Sequence, residues 1–234
     1  MFSGGGAPWI RTELTMPFRD RIDAGRQLAA KLSAYANRGD IVVIGLPRGG
    51  VPVALEVARA LRAPLDVLLV RRIATPADRD VTIGAVAPGG VRVLDDDLIH
   101  AIGLSERVVQ REVERAETDI AVRERIYANY HRTPDLSGRT VIIVDDGIAT
   151  GASMTAAVRV IESRRPAAIV IAVPVASIAT CARLAPHVRE TVYCYIRDPV
   201  YSVGLWYENY PPVSDDDARR FLERAANEGL AATS

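Results

Sequence analysis

The chain repeatedly alternates short runs of branched apolar residues with stretches of helical periodicity, and that alternation narrows the fold more than any other feature. TVYCYI (191–196) reads as a strand, and IVVIGL (41–46), LDVLLV (65–70), the apolar part of RTVIIVDD (139–146) and AAIVIAVPVA (167–176) are too continuously hydrophobic for strands with one wet face. They read as strands buried on both sides. Between them, residues 20–37, with Leu28, Leu32 and Tyr35 at helical spacing, read as a helix, as do VALEVARAL (53–61), 151–164 and IATCARLA (178–185). Strands separated by helices predict an α/β fold: a mostly parallel sheet with helices on both faces. In such sheets ligands collect at the carboxyl ends of the strands. Two unusual loops, LPRGG (46–50) and DDGIATGAS (145–153), fall at such ends.

The remaining segments are less regular. Residues 71–80 (RRIATPADRD) lose the pattern and read as a polar loop. Residues 81–94 hold two strand-like stretches around Pro-Gly-Gly, a hairpin signal. Residues 98–130 are helical in period, with Ser105 as an N-cap, and Val109, Val113, Ala116 and Ile120 form a narrow apolar stripe. That stripe suits the core or a homo-oligomeric contact equally. In the tail, Ser214 or Asp215 is expected to cap a last helix. The expected organisation is a loose N-terminal extension over 1–15, then one domain over 16–234. Within that domain a helical insertion falls at about 95–134 and a C-terminal hood segment at 200–234.

Composition sets limits. With 29 basic and 29 acidic residues the formal charge is zero, which argues against sequence-independent nucleic-acid binding. The two cysteines, Cys181 and Cys194, make neither a disulfide framework nor a zinc site, and fit a reducing cytoplasm. No apolar run is long enough to cross a membrane. His100, His131 and His187 are scattered, and none has a partner at metal-ligand spacing.

The chemistry concentrates in VIIVDDGIATGAS (141–153). A turn rich in Gly and hydroxyl residues at a helix start offers free N–H donors and the positive end of a dipole, which together suit a phosphate. The Gly-Lys-Ser/Thr ending of a Walker A loop is missing. Two carboxylates, Asp145 and Asp146, would repel a phosphate unless they face hydroxyls, a divalent metal or a developing positive charge. A sugar phosphate supplies all three. The plain alternative is that Asp146 caps the helix and Asp145 solvates a strand end.

The string resembles the PRPP-binding motif of the type I phosphoribosyltransferases, where PRPP is 5-phosphoribosyl 1-pyrophosphate. The resemblance implies that Asp145 and Asp146 face the ribose, and that Ala149, Thr150, Gly151, Ala152 and Ser153 hold the 5′-phosphate. LPRGG is similar to the family's pyrophosphate loop, with Arg48 in the place of a lysine. That implies pyrophosphate binding by Pro47, Arg48, Gly49 and Gly50, a cis Pro47–Arg48 peptide, and N–H groups of Arg48, Gly49 and Gly50 aimed at the leaving group. Arg71-Arg72 closes the strand over 65–70, with Arg72 as a catalytic candidate beside a polyanion. The loop over 73–80 corresponds to the family's mobile catalytic loop. SVGLWYENY in the tail loosely resembles the purine-base segment, which implies base contacts from Val203, Trp206, Tyr207 and Glu208. The long insertion and this tail are similar to an uncharacterised branch of the family.

What the resemblance implies as chemistry is a Mg²⁺-dependent transfer of the phosphoribosyl group from PRPP to a nitrogenous base. Mg²⁺ would be held mainly by PRPP and water near Asp145 and Asp146, with no dedicated side-chain cage. A non-catalytic PRPP- or nucleotide-binding regulator and a hydrolase of another phosphorylated sugar are the alternatives.

Overall fold

The computed structural model describes residues 17–78, 81–130 and 135–232. The extension expected over 1–15, two residues of the loop over 73–80, and His131 lie outside the described residues. The chain runs α1 (Arg21–Lys31), β1 (Ile41–Gly45), α2 (Gly50–Leu61) and β2 (Leu65–Val67), then β3 (Arg71–Ala74), β4 (Thr82–Ala87) and β5 (Val91–Leu94). Two helices, α3 (Asp96–Ala101) and α4 (Glu106–Tyr127), come next. β6 (Thr140–Val144), α5 (Ala152–Ser163), β7 (Ala168–Ser177), α6 (Ile178–Leu184), β8 (Glu190–Arg197) and α7 (Asp215–Asn227) follow.

The main sheet has the order β2-β1-β6-β7-β8 and every neighbouring pair in it is parallel. Side-chain alternation splits each strand between two cores. Ile41, Val43, Ile142, Val144, Val170 and Ala172 pack with α1, α2 and α7 on one face. Val42, Ile44, Val141, Ile143, Ile169 and Ile171 pack with α5 on the other. Both faces are therefore dry over β1, β6 and β7, which is why those strands lack alternation, whereas the edge strand β8 has no buried residue.

From β1 the chain moves outward to β2, then returns to place β6 on β1's other side. The strand order reverses there, so a crevice opens at the carboxyl ends of β1 and β6. The loops 46–50 and 145–153 flank it.

The second sheet, β3-β4-β5, is antiparallel. It corrects two expectations. The strand expected over 65–70 stops at Val67, and 71–74, expected as loop, is strand β3. The reason is Ile73, which is 1% exposed beneath α4 and gives this polar stretch one deep anchor. Residues 81–94 form the β4–β5 hairpin. The helix expected over 20–37 ends at Lys31, with a single 3₁₀ turn at Ser33–Tyr35.

Caps follow the sequence chemistry. The Asp20 side chain accepts the Asp23 N–H at the head of α1. Ser214 and Asp217 form a reciprocal capping box at α7. Ser105 occupies the N-cap position of α4 without a side-chain cap bond. The α4 stripe is core: Val109, Val113, Ala116 and Ile120 are all buried against the β3–β4 layer, not offered to a partner. No helix among the described residues is long and apolar enough to cross a membrane.

Ile120→Ala is therefore expected to lower unfolding free energy by about 2–4 kcal/mol, the range for a truncated core aliphatic. Urea denaturation reads this directly. A change near zero would mean that the stripe is not part of the core.

Candidate functional site

The loop after β1 is bound tightly to β6. Leu46 N–H donates to the Val144 carbonyl (2.9 Å) and Gly50 N–H to the Leu46 carbonyl (3.0 Å). The Pro47–Arg48 peptide is cis. Because Gly50 N–H is used inside the loop, only the N–H groups of Arg48 and Gly49 remain of the three expected to face a leaving group. The two glycines are required by contact. A Cβ on Gly49 would lie 2.7 Å from the Asp146 carboxyl carbon, and one on Gly50 would lie 2.7 Å from the Val144 carbonyl oxygen. The loop and the acid pair are thus a single packed unit.

The two acids are not equivalent. Asp145 is half-buried, and its Oδ1 accepts the Asp146 N–H at 2.9 Å. Burial, and then the charge of Asp146, push its carboxyl well above the usual value of 3.8. Asp146 is 8% exposed and turned inward, whereas the resemblance implied that it faces a ribose. Its Oδ2 accepts from Arg21 Nε (2.8 Å) and from the Tyr210 hydroxyl (2.8 Å), while its carbonyl accepts from the Tyr207 hydroxyl (2.6 Å). Arg21 also donates to the Pro211 carbonyl (2.8 Å), and its guanidinium lies 3.7 Å from the centre of the Tyr210 ring. Asp146 does not cap α5 either, since that helix begins at Ala152 with Gly151 as N-cap.

The turn before α5 is held from behind. Ile148 exchanges backbone bonds with β7, donating to the Val175 carbonyl (2.8 Å) and accepting from Ser177 N–H (3.0 Å). Thr180 Oγ1 donates to the Ala149 carbonyl (2.9 Å) and Arg183 Nη2 to the Thr150 carbonyl (2.7 Å). Both carbonyls are drawn toward α6, which leaves the opposite side of the turn to N–H groups. Gly151 has φ +74°, a left-handed conformation that glycine adopts without cost, and from it the helix starts. The N–H groups of Ala152 and Ser153 fall in the first turn, where an α-helix has no internal acceptor for them.

Between this turn and the loop after β1 lies a cavity of about 190 Å³. Its lining brings together the expected Pro47, Arg72 and Ser153, and adds Arg71 and Arg123. Arg72 donates to Thr82 Oγ1 (3.4 Å), Arg71 pairs with Asp119 (2.9 Å), and Arg48 lies 3.8 Å from Asp215.

The tail departs from expectation. Tyr207 is 3% exposed, with its ring packed against Phe18 and Tyr210. It has no free face on which a base could stack, so that expectation is corrected. Trp206 packs against Tyr195 (centroids 5.8 Å apart), and Val203 sits over Gly147, where an added Cβ would meet its Cγ1 at 2.6 Å. Glu208 is exposed, with its N–H bonded to the Phe18 carbonyl.

Sequence reasoning missed Arg21, Tyr210, Thr180, Arg183 and Arg123. Thr180 and Arg183 stand at i and i+3 on a segment read as helix, a spacing that puts both on one face, but only topology aims that face at the turn.

Two stability effects follow. Arg21→Ala leaves a buried carboxylate without its cation and is expected to cost about 3–5 kcal/mol in urea denaturation. Asp145→Asn should act the other way. A carboxyl whose value is raised on folding is most costly when ionised, so the variant should exceed wild type in stability at neutral pH. The gap should close as pH falls through the raised value toward 3.8. A gap that widens on acidification would contradict this.

Comparison with known proteins agrees with the geometry. The model of the phosphoribosyl transferase domain matches residues 18–195. Two curated Mycobacterium tuberculosis proteins, from strains CDC 1551 and H37Rv, each named "Putative phosphoribosyl transferase", are 42% identical over 209 residues. The match covers 89% of this chain and 47% of theirs, so the chain spans about half the length of these relatives. The crystal structure of TT1426 from Thermus thermophilus superposes with a TM-score of 0.79 at 38% identity, covering 89% of this chain and 99% of that one. The chain belongs to the phosphoribosyl transferase domain family.

Proposed function

We propose that the protein moves the 5-phosphoribosyl group of PRPP to a nitrogenous base and releases pyrophosphate. The observation that carries this reading is the pairing, across one crevice, of the N–H-rich turn at 149–153 with the 47–50 loop, and with Asp145 between them. The 5′-phosphate binds the N–H groups over 150–153 and the Ser153 hydroxyl. Asp145 receives the ribose hydroxyls. Asp146, neutralised by Arg21 and bonded by Tyr210, fixes the strand end that carries Asp145.

The bond from C1′ to the pyrophosphate oxygen breaks, and its electron pair leaves with pyrophosphate. Positive charge grows on C1′ and the ring oxygen, as in glycoside cleavage. Asp145 favours that charge, while Arg48, the Gly49 N–H and Arg72 receive the leaving group. A base nitrogen then closes on C1′, and its proton passes to the departing pyrophosphate. Asp145 would hold a magnesium ion brought with PRPP, and that ion would supply charge compensation for pyrophosphate. The hard carboxylate oxygens of Asp145 suit an ion that keeps most of its waters.

A second reading has its own support. Tyr207, one of the two aromatics expected to hold a planar base, is packed into the core. That favours a PRPP-binding regulatory protein that transfers nothing.

Pyrophosphate release from magnesium PRPP, measured against a panel of purines, pyrimidines and other nitrogenous bases, separates the two. Base-dependent release is expected, and Asp145→Asn should reduce it by about 100-fold or more. Since the same substitution is expected to raise stability, that loss would not reflect unfolding. Tight PRPP binding without release on any base would favour the regulator.

A further inference from the structure

We infer that α4 is part of the site, and that Arg123 on it is a pyrophosphate-binding residue. The inference rests on the PRPP reading and extends it to a helix outside the recognised motif. Arg123 is half-buried and lines the cavity between Pro47 and Ser153 together with Arg71 and Arg72. Among the described residues, no acidic side chain lines that cavity. Arg71 is balanced by Asp119 (2.9 Å), whereas the partner of Arg72 among the described residues is the neutral Thr82 hydroxyl (3.4 Å). Arg123 forms no ion pair with an acid among the described residues. The cavity therefore concentrates positive charge that is not compensated from within, a field suited to a polyanion.

The same helix face is tied to the loop opposite. One turn beyond Arg123, Tyr127 is fully buried, and its hydroxyl donates to Asp215 Oδ1 at 2.8 Å. The other oxygen of Asp215 lies 3.8 Å from Arg48. Residues at i and i+4 share a face, so α4 presents one guanidinium to the cavity while bracing the loop that carries another. The buried stripe over 109–120 fixes the helix that carries Arg123, which sets where its side chain starts from. Adjacent phosphoryl groups match the forked donors of arginine. As C1′–O breaks, Arg123 stabilises the negative charge that leaves with pyrophosphate, and no proton transfer is required.

Titration calorimetry of the full chain with magnesium pyrophosphate, and separately with ribose 5-phosphate, tests this. Wild type should bind both. Arg123→Ala should weaken pyrophosphate roughly ten- to a hundred-fold, the range for a charge-assisted bond, with ribose 5-phosphate affinity and melting temperature unchanged. Arg123→Lys should recover part of the loss. Arg125→Ala, which removes an exposed charge from the same helix, should have no effect. Wild-type pyrophosphate affinity in Arg123→Ala, or an equal loss of both ligands, would overturn the inference. If wild type binds ribose 5-phosphate but not pyrophosphate, this inference fails and the phosphate half of the reading stands. If it binds neither, both fail.

Discussion

The architecture of the site depends on a buried ion pair, Arg21 with Asp146. Taking both charges out of water is costly, and the pair is tolerable only because neighbouring groups satisfy what remains. Tyr210 donates to the same carboxylate oxygen, Pro211 accepts from Arg21, and Tyr207 reaches the Asp146 carbonyl. These contacts join α1, the end of β6 and the tail after β8 at one point. Gly49 closes the arrangement from the front, because no other residue fits against the Asp146 carboxyl. The first helix and the tail, far apart in sequence, therefore set where the loop after β1 can lie. An ion pair of this kind is weak as a source of stability, and its role here is to specify a single arrangement of four segments.

Much of this was legible in the sequence. Continuous Val and Ile runs announce strands covered on both faces, and their alternation with helices announces parallel pairing. Glycines and hydroxyls between a strand and a helix announce a tight turn with free N–H groups. What was hidden has a common cause: the information is long-range. Arg21 is an ordinary arginine on an amphipathic helix until the fold brings it to Asp146, 125 positions away. Tyr207 reads as a ligand platform because an aromatic in a polar tail resembles an exposed one, and only packing against Phe18 and Tyr210 reveals a core residue. Strand β3 looked like a loop because a single buried residue, Ile73, carries no periodicity.

The second sheet and α4 change what the chain's many arginines can do. Arg71 and Arg72 sit on a strand paired with β4 and backed by the buried stripe of α4, not on a free loop. Their positions are set by packing before any ligand arrives. The loop that the family resemblance implied to be mobile, 73–80, begins just beyond them. A fixed basic wall reduces the ordering that binding requires, and shifts discrimination toward the spacing of charges.

The asymmetry of the two adjacent aspartates follows from strand geometry. Along β6, Ile142 and Val144 face α1 and α2, while Val141 and Ile143 face α5. Extending that alternation past the end of the strand sends Asp146 to the α1 side, where Arg21 waits, and Asp145 to the α5 side, beside the anion turn. Identical side chains thus meet opposite environments: one is neutralised by a buried cation, the other is half-buried next to a charge of its own sign. A sugar phosphate that brings hydroxyls and a growing positive charge to Asp145 relieves that conflict. The ligand would complete the electrostatics that folding leaves unbalanced, which is what couples an unfavourable carboxylate to binding.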